Sequence, residues 1–451
     1  MKSSYKYILI AIFPVMLAAL QGNSQEIIKS VLFKYEGHWE GSIDVMNTKL
    51  QIMTDFKAND VLTGTIDIPQ QGVKKLQLTN FSIIHPSIKF EINIQNTKIE
   101  FSGMLAGDKI TGKFTQAGYE GTFELTKTEA PPAEPGIAMQ LVTSTGTING
   151  TLLLPEGREK MPIALIIAGS GPTDRDGNSP LIEGKNNSLK MLADGLASKG
   201  IASLRYDKRG IGESIAAMKS EAELRFDDYV NDAVGWINLL KGDSRFTDVI
   251  IIGHSEGSLI GMLAAKKSKV RAYISAAGAG RKISEALTEQ LKEAPEAERH
   301  EAAEIIKELK KGKMVDSISN SMQILFRRSV QPYLISWLKY DPSTEIAGLH
   351  IPVLIVQGSN DIQISEKDAR QLFAKCPGSK LLIIPGMNHI LKIASLDRDE
   401  IIKTYSDPNL ELAPGLIDGI SGFIDLALQK NKSENPKKEK GKAPGKDERK
   451  K

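Results

Sequence analysis

The stretch from Val249 to Lys266 constrains the fold of this chain more than any other. An apolar strand, Val249-Ile250-Ile251-Ile252, runs into Gly253-His254-Ser255-Glu256-Gly257, and a helical pattern, Ser258 to Lys266, follows at once. A Gly-x-Ser-x-Gly pentapeptide between a strand and a helix forces a sharp turn that exposes the serine at the edge of the sheet. The flanking glycines are required because side chains there would collide with neighbouring backbone. The helix that begins at the turn aims free N–H groups at the serine and favours negative charge beside it. Ser255 is therefore a candidate nucleophile.

The segments around this turn repeat its rhythm. Ile163 to Ala168, Ile201 to Tyr206, Val270 to Ala276, Val353 to Gly358 and Lys380 to Pro385 read as further buried strands. Between them, Asp228 to Leu240 sets Val230, Val234, Ile237 and Leu240 on one helical face. Strands alternating with helices predict an α/β domain with a mostly parallel sheet, here spanning 137–428. Residues 281–345 interrupt the alternation with consecutive helical patterns, as a helical cap inserted between two strands would.

Residues 25–128 read differently. Apolar runs such as Leu50 to Phe56, Lys98 to Leu105 and Tyr119 to Lys127 are separated by Asn, Gly, Asp and Pro turns. Their spacing of about 8 to 12 residues predicts a small all-β domain, a barrel or a sandwich. Apolar-x-Gly-x-apolar recurs five times, first as Trp39-Glu40-Gly41-Ser42-Ile43. A period of two puts the glycine and both apolar residues on one face, where a missing side chain lets a strand bend as barrel closure requires. A compact interior filled with side chains is expected, rather than a ligand cavity. A proline-rich linker, 129–136, separates this domain from the next.

The two ends carry the charge asymmetry. Lys2 and Lys6 precede the apolar run Tyr7 to Leu20, and Gln21-Gly22-Asn23-Ser24 follows it. That order predicts a secretory signal peptide over 1–24 and hence an exported, periplasmic or secreted protein. The run is shorter than the about 20 apolar residues of a spanning helix. At the other end, Lys430 to Lys451 holds a net charge of +6 in a chain whose total is +3. Residues 429–451 thus read as a disordered basic tail able to contact anionic surfaces. The remainder is slightly acidic, so no nucleic-acid partner is expected. The single Cys376 excludes an intrachain disulfide and a Cys-based zinc site.

A serine is too weak an acid to attack unaided and needs a general base. Six histidines are available. His38 and His85 fall in the β-domain, His254 adjoins the serine and points elsewhere, His300 lies among cap charges, and His350 precedes a strand at the wrong end. His389, in Pro385-Gly386-Met387-Asn388-His389 after the last strand, lies where ligands bind in such sheets. Asp361, in Gln357-Gly358-Ser359-Asn360-Asp361 after the penultimate strand, is the expected partner that holds the imidazole tautomer. Its rival Asp207, in Arg205-Tyr206-Asp207-Lys208-Arg209-Gly210, reads as part of a structural turn, with Asp207 and Arg209 paired to neighbours. The oxyanion hole is expected from the backbone N–H groups of Glu256 and of Ser170, the latter in Ala168-Gly169-Ser170-Gly171-Pro172. The Glu256 side chain is expected to serve as a negative charge at a helix start rather than to contact substrate.

With these residues in place, 137–428 resembles an α/β-hydrolase. Gly171-Pro172-Thr173-Asp174-Arg175-Asp176-Gly177-Asn178 and Asp207-Lys208-Arg209-Gly210-Ile211-Gly212-Glu213-Ser214 are similar to stretches of secreted or thermophilic bacterial esterases and serine-aminopeptidase-like proteins. The resemblance implies an α/β-hydrolase fold with a helical cap, the triad Ser255, Asp361 and His389, no metal and no organic cofactor. Many relatives carry His where Ala168 stands, a departure that bears on the second oxyanion donor.

The implied activity is hydrolysis of small carboxylic esters with short to medium acyl chains, through an acyl-enzyme. An aminopeptidase-type peptidase is the alternative, its amine anchor sought in Glu285, Glu289 and Glu293 on one face of the cap. A secreted ligand-binding protein with a vestigial hydrolase is a third reading. The cap's Met322, Ile324, Leu325, Phe326, Leu334, Ile335 and Trp337 outnumber one surface stripe, so some are expected to line an acyl pocket.

Overall fold

The computed structural model describes residues 26, 28–45, 48–94, 97–132 and 135–434. The expected signal peptide, 1–24, lies outside them, as do 133–134 of the linker and 435–451 of the tail. The chain divides into two units, Met1–Glu134 with Gly210–Lys219, and Pro135–Arg209 with Ser220–Lys451.

The first unit is one antiparallel sheet of nine strands. In chain order they are β1 Gly37–Val45, β2 Thr48–Ala58, β3 Leu62–Ile68, β4 Val73–Gln77, β5 Thr79–Ile84, β6 Ser87–Ile94, β7 Thr97–Ala106, β8 Lys109–Gln116 and β9 Tyr119–Thr128. Across the sheet the order is β4-β3-β2-β1-β9-β8-β7-β6-β5. The two edge strands are thus consecutive in the chain with only Leu78 between them, and the Leu78 N–H donates to the Gly64 carbonyl of β3 at 2.9 Å. The sheet curls until its edges nearly meet, the barrel rather than the sandwich.

Alternation sets what faces inward: in β7, Ile99, Phe101, Gly103 and Leu105 are buried while their neighbours are not. Aromatic rings fill the interior. Phe90 stacks on Phe101 with 4.8 Å between centroids, and Phe123 meets Phe101 edge-on at 5.3 Å. A Cβ on Gly121 would sit 2.4 Å from a ring carbon of Phe114, so the repeated glycine also makes room for a ring on the next strand. The edge of β4 is covered by Gly210–Lys219. Gly212 donates its N–H to the Gly72 carbonyl at 3.1 Å, Glu213 pairs with Lys75 at 3.1 Å, and Ile215 joins the buried apolar cluster. Covering an edge removes a template for aggregation.

The second unit is built on eight strands: β10 Ile137–Thr143, β11 Gly146–Leu153, β12 Met161–Ile167, β13 Ala202–Tyr206, β14 Phe246–His254, β15 Ala272–Ala276, β16 Val353–Gly358 and β17 Lys380–Ile384. Their order is β10-β11-β13-β12-β14-β15-β16-β17. β10 and β11 form a hairpin, β11 is antiparallel to β13, and every later pairing is parallel. The six strands expected from the sequence are present with ends shifted by a few residues. The β10–β11 hairpin adds to them; its strands alternate with exposed positions and lack the continuous apolar run that marks the other six.

Ile250 and Ile252 of β14 pack in one cluster with Leu189, Leu192 and Leu196 of the helix Ser188–Ser198 and Ile420 of the helix Leu416–Glu434. Each such fully buried side chain contributes about 1.5–3 kcal/mol. The strand order reverses beside β12, so the loops after β12 and β14 open onto one crevice, the usual ligand position in such sheets. Between β15 and β16 lie the helices Ile283–Gln290, Glu296–Lys310, Gln323–Phe326, Gln331–Trp337 and Pro342–Ala347, the expected cap. The helix Leu416–Glu434 continues past residue 428, the expected start of the basic tail, because neither Pro nor Gly occurs between Leu428 and Pro436.

Candidate active site

Ser255 stands between β14 and the helix Glu256–Lys267 with φ of 55° and ψ of −120°. A residue with a Cβ held at positive φ costs about 1–3 kcal/mol and persists only where the surroundings impose it. Here they do. A Cβ on Gly253 would lie 2.2 Å from the Gly257 carbonyl oxygen, and one on Gly257 would lie 2.2 Å from the Ile167 carbonyl oxygen of β12. Backbone contact across the turn therefore dictates both glycines.

The loops after β16 and β17 bring Asp361 and His389 to this serine. Ser255 Oγ is 3.0 Å from His389 Nε2, and His389 Nδ1 is 2.8 Å from Asp361 Oδ2. Asp361 Oδ1 accepts the N–H groups of Gln363 at 2.8 Å and Ile364 at 2.9 Å, while Oδ2 also accepts the Gln357 side-chain amide at 3.0 Å. Burial alone would raise the Asp361 pKa. The charge and hydrogen bond of His389, with the two backbone donors, outweigh it and hold the carboxyl below its ordinary 3.8. Asp361 is thus an anion at neutral pH, and its hydrogen bond from Nδ1–H leaves Nε2 as an acceptor facing Ser255 Oγ.

The other candidates are engaged elsewhere. Asp207 accepts the Arg175 guanidinium at 2.7 Å and the Arg175 N–H at 2.8 Å, and Arg209 forks onto Asp232. The buried Arg175–Asp207 and Arg205–Asp176 pairs clamp the 171–178 loop to the end of β13. His38 binds Asp55 in the first unit, and His300 and His350 are exposed.

The loop after β12 lies against Ser255: a Cβ on Gly169 would be 3.1 Å from Ser255 Cβ. Among the described residues, neither the Ser170 N–H nor the Glu256 N–H is given to a protein acceptor. The Ala168 methyl is buried in the apolar cluster, so no side chain at that position orients the loop. Lys208 Nζ holds the Gly169 carbonyl at 2.5 Å instead, and Thr173 Oγ1 holds the Ser170 carbonyl at 2.8 Å.

The Glu256 side chain corrects an expectation. It is buried, pairing with Lys208 Nζ at 2.8 Å and accepting the Tyr333 hydroxyl, so it does more than place charge at a helix start. Two sequence signals separate Lys208 from a surface lysine: its place at the C-terminal end of a buried strand and its membership of the Asp207 to Ser214 stretch that carries the resemblance. Tyr333 carries no sequence signal.

In the cap, Glu285, Glu289 and Glu293 are all exposed, and Glu289 pairs with Lys292 at 3.0 Å. Met322, Phe326 and Leu334 are buried, whereas Ile324 is 76% exposed and lines no pocket. Trp337 stacks on Phe226 at 5.3 Å between centroids, so part of the cap's apolar surplus packs onto the helix Phe226–Gly242.

His254 is also buried beside the site, and its Nε2–H donates to the His389 carbonyl at 2.8 Å. Burial, then the nearby His389 charge, push its pKa from 6.5 down to about 4. Below pH 6.5 the unfolded chain binds a proton that the folded one refuses until about pH 4. Stability is therefore full above that window and falls as pH drops through it, by about 3 kcal/mol in all. His254→Asn, which keeps a donor and does not titrate, is expected to remove most of that fall in urea denaturation at pH 7 and pH 4. Asp361 does not confuse the comparison, since its contribution is lost only below its ordinary 3.8.

A mostly parallel sheet in this order, a serine on a strand–helix turn, and a histidine and an aspartate from the loops after the last two strands define an α/β-hydrolase. The family described as serine aminopeptidase, S33, matches residues 184–330. Esterase EstD of Thermotoga maritima is 25% identical over 336 residues, covering 71% of this chain and 74% of that protein. Among solved structures, Est1E from Butyrivibrio proteoclasticus aligns over 65% of this chain and 100% of its own, with 18% identity and a TM-score of 0.42. A thermophilic esterase from Thermogutta terrifontis aligns over 65% and 98%, with 16% identity and a TM-score of 0.40. The chain is an esterase-like α/β-hydrolase with an almost closed β-sheet domain ahead of it in sequence.

Proposed function

We propose that the protein hydrolyses small carboxylic esters by acyl transfer. Ser255 is the nucleophile, His389 the general base and then acid, Asp361 the group that holds His389, and the Glu256 and Ser170 N–H groups the oxyanion hole. The observation that carries this reading is the continuous relay from Ser255 Oγ through His389 to the Asp361 carboxylate, at 3.0 and 2.8 Å. His389 Nε2 takes the hydroxyl proton as Oγ attacks the carbonyl carbon, and the two N–H groups meet the developing oxyanion. Collapse expels the alcohol, which leaves with the proton from Nε2. Water then repeats the sequence on the acyl-enzyme, releasing the acid and restoring Ser255.

The likeness to Esterase EstD supports ester over amide cleavage. So does the exposure of Glu285, Glu289 and Glu293, which offers a substrate amine no buried carboxylate there. Export through the 1–24 segment, and contact of the basic tail with anionic surfaces, belong to the same proposal and rest on the charge pattern of the two ends.

The substrate test is kcat/KM on p-nitrophenyl esters of increasing acyl length beside free-amino aminoacyl amides. Each methylene buried against an apolar wall adds up to about 0.8 kcal/mol, a factor of about four, until the pocket is full. The expected profile rises through short chains, peaks at medium length and then falls, with the amides slower throughout. Faster cleavage of the amides, lost in Glu285→Gln, Glu289→Gln or Glu293→Gln, would hand the site to the peptidase reading.

A further inference from the structure

We propose that Lys208 is the residue that sets the oxyanion hole, fixing both of its donors from one buried ammonium group. The inference rests on the oxyanion hole assigned above. Lys208 Nζ donates to the Gly169 carbonyl at 2.5 Å, and that carbonyl belongs to the same peptide unit as the Ser170 N–H. In a planar trans peptide the C=O and N–H point in opposite directions. Holding the oxygen on the lysine side therefore turns the Ser170 N–H the other way. A cation on the carbonyl also polarises the unit and strengthens its N–H as a donor.

The same ammonium holds the second donor. Its other contact is Glu256 Oε2 at 2.8 Å, on the residue that supplies the second N–H. The remaining carboxylate oxygen accepts the Tyr333 hydroxyl from the cap helix Gln331–Trp337. Burial holds the Tyr333 phenol well above its ordinary pKa of 10, so it stays a donor. The Tyr229 ring lies 4.9 Å from Nζ and further compensates the charge.

Stability does not account for this arrangement, because a buried ion pair is often no better than apolar packing of the same volume. The Lys208 and Glu256 side chains are only 1% and 2% exposed. Their contacts reach the two peptide segments that carry the oxyanion donors, and this connection is what the pair provides. Lys208 touches no reacting atom and is a positioning residue.

The experiment uses the full chain and compares Lys208→Met, the double variant Lys208→Met/Glu256→Gln, and Ser255→Ala with the unaltered protein. The double variant leaves no stranded carboxylate. Readouts are kcat and KM on a p-nitrophenyl ester, the affinity for an alkylboronic acid, and the thermal melt. The boronate forms a tetrahedral adduct on the serine and so reports on the oxyanion hole, which KM does not.

Both Lys208 variants are expected to lose about 10²-fold in kcat, the scale of one oxyanion donor, with boronate affinity falling in step and KM nearly unchanged. A folded double variant with native kcat and native boronate affinity overturns the proposal. A double variant that fails to fold overturns it equally, by assigning Lys208 to stability. Turnover that survives in Ser255→Ala instead overturns the serine-hydrolase reading itself, whatever the Lys208 variants do.

Discussion

Ser255→Ala is expected to lower ester turnover by about 10⁶-fold and to leave the fold intact. Removing Oγ removes the atom that attacks the substrate carbonyl, and His389 is left without a serine proton to take. What remains is the weak acceleration from binding and the oxyanion donors, on water. The structural cost is small. Alanine keeps the Cβ that Ser255 already holds at φ of 55°, and one hydrogen bond of 3.0 Å to His389 is lost. A typical hydrogen bond contributes about 1 kcal/mol, so a melt close to that of the unaltered protein accompanies the loss of activity. More than a tenth of the activity in the purified variant would remove Ser255 from the mechanism.

Asp361→Asn is expected to cost about 10⁴-fold in kcat, more than the loss of one charge-assisted hydrogen bond suggests. The reason lies in what surrounds the carboxylate. The N–H groups of Gln363 and Ile364 both point at Oδ1, so an asparagine must keep its carbonyl oxygen there. Its NH₂ then faces His389 Nδ1, where the carboxylate accepted a hydrogen bond. Nδ1 has to become the acceptor, and the ring proton moves to Nε2, facing Ser255 Oγ. The histidine is then in the tautomer that cannot take the serine proton. Single-turnover kinetics check the prediction: acylation should slow with KM little changed, and a loss smaller than tenfold would contradict it.

The parts of this site that the sequence made legible are those set by local backbone constraint or by scarcity. The turn at Ser255 was legible because strand, glycines and helix are contiguous. His389 was legible because few histidines compete, and Asp361 because it follows the penultimate strand. The link among Lys208, Glu256 and Tyr333 was not, because it joins three elements separated by 48 and 77 residues and leaves no spacing pattern. The β-domain shows a different limit. Period-two alternation tells which face of a strand is buried, but not whether the sheet curls on itself or pairs with another. That the edge of β4 is covered by Gly210–Lys219, from far along the chain, is likewise a tertiary fact with no local signature.

A covalent acyl group at Ser255 is the intermediate that distinguishes the proposed mechanism most directly. Rapid mixing with a p-nitrophenyl ester, acid quench and intact-mass analysis measure it, with the adduct located by peptide mapping. The expected result is a burst of p-nitrophenol approaching one equivalent per chain where deacylation is slow, and a mass increase of one acyl group on the peptide carrying Ser255. Both should be absent in Ser255→Ala. Turnover with no adduct under conditions that trap acyl-enzymes, or an adduct on any other residue, would contradict the mechanism proposed here.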